Sequence, residues 1–177
     1  KDTDTILVNA GVFRLSDTLN ITKAVVVKSL MGAHYTVIDG GYPAQAIRCV
    51  RISNQNAVFE GFTVQNGAEG VMFDGEASGK MRNCVVTGVS GNAVFFNHGG
   101  TAQSCTIVKN GVGLFASDMG GGGDPAVNLI VSGNTINWLT EDANIVCDTC
   151  VTEDPHFAAD NDFRLLADSP CIDAGRE

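Results

Sequence analysis

The chain has 177 residues, 44% of them apolar and 18% charged, with a net charge of −9. The apolar share excludes a disordered chain, and the acidic balance is the reverse of a nucleic-acid binder's. Twenty-one Gly against four Pro, in a chain rich in Val, Ile, Thr and Asn, indicate short strands and tight turns. No run approaches the roughly 18 apolar residues of a membrane-spanning helix, so no membrane insertion is expected.

In chain order, residues 6–8, 11–15, 24–27 and 35–40 read as short strands between turns. The chain opens at Lys1 rather than Met, so a preceding segment is expected. From residue 60 onward the sequence repeats itself. Phe62, Cys84, Cys105 and Leu129 form one apolar column at spacings of 22, 21 and 24 residues. Val64, Val86, Ile107 and Val131 form a second, and the mixed column between them (Thr63, Val85, Thr106, Ile130) reads as outward-facing. Downstream, Phe73, Phe95 and Phe115 align as a third column, with Met72, Val94 and Leu114 beside it. Alternation then requires one of these last two columns to face outward, where a loop, the tail or another protein would cover it. Asn66-Gly67, Thr87-Gly88 and Asn110-Gly111 mark a corner whose stacked amides would form a ladder, interrupted at Gly88.

A period near 22 with two-residue alternation, no leucine framework and no helical period leaves a right-handed parallel β-helix. The fold class is therefore all-β: a single-stranded solenoid of about six or seven coils over residues 1–150. Residues 151–177 are expected to cap it as part of the same domain. The charge is concentrated there: ten acids and two bases follow residue 140, against ten and nine before it. Phe157, Phe163, Leu165, Leu166 and Ile172 are the side chains expected to cover the open end of the last coil, with Arg164 pairing a nearby carboxylate. Ile6 enters the first strand almost at once, so the N-terminal end is expected to meet preceding residues, an adjacent domain or a second molecule.

Two segments resemble a known family. One runs from Val8-Asn9-Ala10-Gly11-Val12-Phe13 through Thr18-Leu19-Asn20-Ile21-Thr22-Lys23 to Tyr35-Thr36-Val37-Ile38-Asp39-Gly40. The other comprises Asp154-Pro155-His156-Phe157, Asp162-Phe163-Arg164-Leu165 and Ser169-Pro170-Cys171-Ile172-Asp173-Ala174-Gly175. Together they resemble the pectate-lyase-like superfamily of parallel β-helices, in particular secreted bacterial surface proteins in which such a tail ends the β-helix. The resemblance implies a secreted or cell-surface setting. It does not select an activity, because this fold carries many.

Six cysteines in an exported chain are compatible with disulfides. Cys84 and Cys105 sit in one inward column at bridging distance, yet read first as reduced, buried thiols. One of Cys147 and Cys150 is expected to bridge to Cys171 and tie the tail to the body.

Chemistry on a β-helix needs carboxylates gathered from neighbouring coils, with a cation and a base for a lyase. Asp74, Glu76, His98 and Asp118 fall near equivalent loop positions and are the candidate catalytic residues, with Lys80 and Arg82 as the nearest bases. Asp118 and Asp124 are the candidate metal ligands. No cofactor is required, and Ca²⁺ is the one ion the acidic segments suggest. His98-Gly99-Gly100 only faintly resembles the Gly-His-Gly of β-helix polygalacturonases, whose companion motifs are missing. The leading expectation is an extracellular structural, adhesive or assembly module with glycan contacts. The alternative is a small polysaccharide lyase or hydrolase acting on an acidic glycan.

Overall fold

The computed structural model describes residues 4–75, 79–117, 125–140 and 147–176. Strands follow one another in triplets, one triplet per coil. The first coil carries β1 (Asp4–Val8), β2 (Gly11–Arg14) and β3 (Leu19–Ile21). The second carries β4 (Val25–Ser29), β5 (Thr36–Asp39) and β6 (Arg48–Ile52), and the third β7 (Val58–Glu60), β8 (Thr63–Gln65) and β9 (Glu69–Asp74). Then come β10 (Lys80–Arg82), β11 (Val85–Thr87) and β12 (Asn92–Asn97), followed by β13 (Thr101–Gln103), β14 (Thr106–Val108) and β15 (Val112–Ser117). The sixth coil has β16 (Ala126–Val127), β17 (Ile130–Ser132) and β18 (Ile136–Thr140). A seventh begins with β19 (Cys147–Asp148) and a bridge from Val151 to Ile130. A separate antiparallel hairpin joins β20 (Phe157–Ala159) to β21 (Asp162–Leu165).

Every third strand pairs in parallel with its equivalent one coil away. This gives a first sheet of seven strands (β1 to β19) and second and third sheets of six each (β2 to β17, β3 to β18). The expected parallel β-solenoid is thus observed, with six complete coils. The corner between first and second sheets is the tightest. Gly61, Asn83, Ser104 and Asn128 occupy it with φ of 79°, 53°, 51° and 54°, a left-handed conformation that Gly and Asn adopt at least cost.

The core fills the coil as stacked columns. In the second sheet Ile38, Val64, Val86, Ile107 and Val131 lie in register and are all buried. The first sheet contributes Val27, Phe59, Met81, Ala102 and Ala126 in the same way. Phe59 lies flat against Phe62 at 4.4 Å between ring centroids, and Phe73 against Phe96 at 5.2 Å. Thr63, Val85, Thr106 and Ile130 are only half buried, on the outer face as expected.

Three expectations need correction. First, Phe73 pairs with Phe96, not Phe95. The corner between β11 and β12 is one residue longer than its equivalents in the coils on either side, and the apolar run Ala93–Phe96 has no alternation to reveal the shift. Val94 and Leu114 therefore face inward, fully buried. The outward apolar column is Met72, Phe95, Phe115 and Leu139.

Second, the amide ladder runs forward from Asn110 rather than back to Asn66. The buried Asn110 donates Nδ2 to the Val86 and Val108 carbonyls (3.0 Å each) and to Asn134 Oδ1 (2.9 Å), and accepts from Val89 N–H (3.0 Å). Asn134 repeats the pattern towards the Ile107 carbonyl (3.0 Å). Asn66 instead donates to Asp39 at 3.2 Å.

Third, the described tail does not cover the end of the last coil. Its hairpin lies along the second sheet, where Asn161–Arg164 face Val37, Thr63 and Val85 across a cleft. Lys109 holds Asp160 there through the Asp160 backbone carbonyl and carboxylate. Asn128 clasps the Arg176 backbone in both directions at 2.8 and 3.0 Å. The reason is the outward Val/Thr column of the second sheet, an apolar strip that Phe163 faces, while Leu166 and Ile172 stay 46% exposed. At the other end Ile6 (50% exposed) and Phe13 (41%) continue the columns of buried Val27 and Ile38.

Replacing Asn110 with Ala strands buried backbone groups on two coils. It should cost about 3 kcal/mol in urea-denaturation stability, at the upper end for an unsatisfied buried polar group. The same change at exposed Asn20 should stay within about 0.5 kcal/mol.

Candidate functional site

The candidate edge lies where the third sheet turns towards the first. Here β9 ends at Asp74, β12 at Asn97 and β15 at Ser117, and the three residues stack in register. Asp74 accepts from Arg51 Nε at 2.6 Å and pairs with the same guanidinium through its terminal nitrogen. Its other oxygen accepts from Asn97 Nδ2 at 3.1 Å, and Ser117 Oγ bonds Asn97 Oδ1 at 3.4 Å. The Arg51 hydrogen bond, reinforced by its charge, holds the Asp74 carboxyl below the usual carboxylate range against the opposing effect of burial. Asp74 is thus an ionised, paired carboxylate at neutral pH, poorly suited to donating a proton.

His98 follows directly, exposed, with φ of 69°. The turn that carries it depends on Gly100, where a Cβ would stand 2.3 Å from Phe73 Cγ. Asp74 and His98 thus share one edge, whereas Glu76, Asp118 and Asp124 lie outside the described residues. Lys80 and Arg82 belong to the first sheet. Arg82 is committed there to Glu60, which it meets at 2.7 Å while Lys28 approaches from the other side at 3.0 Å. Burial pushes the Glu60 carboxyl up, but the hydrogen bonds from Lys28 and Arg82 outweigh it and leave it lowered. Among the described residues no three His, Cys, Asp or Glu side chains gather into a metal-binding group.

Sequence reasoning missed Arg51, Asn97, Phe95 and Phe115 as the groups that shape this face. Spacing pointed to Asn97, 23 residues after Asp74 and in register with it, but not to Arg51, whose in-register partner is Met72. Beside the polar row runs the apolar one, with Phe95 and Phe115 rings 4.9 Å apart and tilted by 39°. Met72 closes one end of that row, and Leu139, 42% exposed, the other. The face therefore offers a half-buried aromatic pair next to a fixed line of carboxylate, amide and hydroxyl.

A family model described as the right handed beta helix region matches residues 38–150. The chain belongs to that family. No curated protein and no solved structure matches it. In a right-handed β-helix the outer sheet faces repeat along the axis, so the row Asp74–Asn97–Ser117 is a regular surface rather than a convergent pocket.

The disulfide pairing differs from expectation, while Cys84 and Cys105 match it. Cys147 pairs with Cys150 across a turn, with Cα atoms 5.8 Å apart, and Cys171 is a free thiol. Cys171 lies elsewhere, beside Ser104, Asn128 and Gly175 at the corner of the first and second sheets, while the disulfide adjoins Val131 and Trp138. Cys84 and Cys105 are reduced and buried. Their thiols point at backbone carbonyls, Arg82 at 3.3 Å and Gln103 at 3.1 Å. Burial pushes the Cys105 thiol up and raises Cys49 to about 12.

Two outcomes follow. Asp74 has a folded pKa below its unfolded value of about 3.9, so its contribution is complete above that value and is lost as pH falls through the folded one. Asp74→Asn should lower stability by about 0.5–1 kcal/mol at pH 7, a scale reduced by the part-exposed Arg51. The gap to wild type should narrow as pH falls below that unfolded value, as followed by thermal melts across pH. Alkylation without reductant should modify Cys171 first in the native protein, all four free thiols after unfolding, and Cys147 and Cys150 only after reduction.

Proposed function

We propose that this chain is an extracellular or cell-surface β-helix module, a rigid structural or adhesive unit that contacts glycan through the outer face of its third sheet. The observation that carries this reading is the paired surface of that face. Its described carboxylate, Asp74, is held by Arg51 and Asn97, and beside it stand Phe95 and Phe115, an aromatic pair suited to the C–H face of a sugar ring. A paired carboxylate supports positioning more than proton transfer. The exposed inward columns at Ile6 and Phe13 support an assembly role for the first coil, where an adjacent domain or a second molecule would dock.

Glycan-array binding of the intact chain, followed by Phe95→Ala and Phe115→Ala, tests the reading. Each substitution should weaken binding at least tenfold while the circular dichroism spectrum stays that of the wild type. Turnover of an acidic polysaccharide in Ca²⁺, abolished by Asp74→Ala or Asp118→Ala, would replace this reading with that of a lyase or hydrolase.

A further inference from the structure

The hairpin and the second sheet enclose a cleft of about 370 Å³, at the small end of the range for small-molecule sites. Its floor is built by the coil repeat. Val37, Thr63 and Val85 lie in register as one row, and Gln65 and Thr87 as a second, two residues further along the same outer face. Successive members of each row are one coil apart, about 4.8 Å. One row therefore offers methyl groups and the other a side-chain amide and a hydroxyl. Gln65 is held in place by its hydrogen bond to the buried Asp39 carboxylate at 2.9 Å, and Thr63 by one to the Ala33 carbonyl at 2.7 Å.

The opposite wall comes from the hairpin. Phe163 stands there, braced edge-on by Phe157 at 5.3 Å between ring centroids, with Asn161 beside it. Asp162 and Arg164 also line the wall, but the guanidinium forks onto the carboxylate at 2.9, 3.0 and 2.5 Å. The pair leaves the hairpin wall without net charge, and His34 is the remaining ionisable side chain among the residues lining the cleft. An aromatic ring, a methyl row and a parallel row of neutral hydrogen-bonding groups match a molecule with an apolar face and a hydroxylated rim.

We propose that this cleft binds a short uncharged saccharide. The pyranose C–H face lies between Phe163 and the valines, and its hydroxyls reach Gln65, Thr87 and Asn161. The site is separate from the third-sheet face and does not depend on glycan binding there.

Titration calorimetry and saturation-transfer NMR on the intact chain test it, with glucose, galactose, N-acetylglucosamine and maltose as probes and glucuronate and galacturonate as charged counterparts. At least one neutral sugar should bind, and its uronate should bind at least fivefold more weakly. Phe163→Ala should weaken binding tenfold or more, and Thr87→Val, which keeps the shape and removes the hydroxyl, about fivefold. Phe115→Ala on the third sheet should leave it unchanged. If Phe163→Ala releases the hairpin, Thr87→Val on the sheet itself still decides. No binding by any neutral sugar, tighter binding of the uronates, insensitivity to Thr87→Val, or loss with Phe115→Ala would each overturn the proposal. None of the first three outcomes touches the third-sheet reading, which is decided separately by Phe95→Ala and Phe115→Ala on the glycan array.

Discussion

In-register parallel stacking governs this molecule. Each strand residue has as its nearest partners the residues one coil before and one coil after it, so a side chain's environment is set mainly by its own column. Apolar columns that point inward become the core: Ile38 to Val131 in the second sheet, Val27 to Ala126 in the first. Polar columns that point outward must find their partners along the axis. Lys28, Glu60 and Arg82 do so on the first sheet, Asp39 and Gln65 on the second, and Arg51, Asp74, Asn97 and Ser117 on the third. The amides of buried Asn110 and half-buried Asn134 apply the same rule at a corner, where they satisfy backbone groups of neighbouring coils.

This constraint shapes what the surface can do. Axial pairing takes up Asp74, the one acid of the spacing-based candidate set that lies among the described residues. Its carboxylate belongs to a ladder, and the ladder holds it ionised. A surface built in this way is flat, repetitive and rigid, which suits contact with an extended or ring-stacked ligand more than convergent acid–base chemistry. Concavity arises only where a non-repeating element crosses the ladders, as the tail hairpin does over Val37, Thr63 and Val85.

Much of the fold was legible because columns recur. The pairing of Cys84 with Cys105 in neighbouring coils, and of Val64 with Val86 and Ile107, follows from spacing and alternation alone. The register of the third sheet was not legible. Its strands carry continuous apolar runs such as Ala93–Phe96, and an extra corner residue before β12 shifts the alignment by one, exchanging Phe95 and Phe96 between surface and core. The ion pair at the candidate site was hidden for a related reason. Arg51 sits in register with Met72 and reaches Asp74 diagonally, so column alignment does not place the two together.

The sequence by itself determined a small, acidic, strand-rich chain that coils about every 22 residues, with most of its negative charge after residue 140. Periodicity suffices for this, since a two-residue alternation repeated at a fixed interval has few ways to bury its apolar columns. Only the tertiary structure decided where the described part of that segment, its hairpin at 157–165, lies. It runs back along the second sheet rather than across the end of the coil, with Asp160 on Lys109 and Asp162 on Arg164. It also decided which cysteines meet, Cys147 with Cys150 and not with Cys171. Both depend on one non-repeating segment and the face it packs against, and a contact made once leaves no period in the sequence to read.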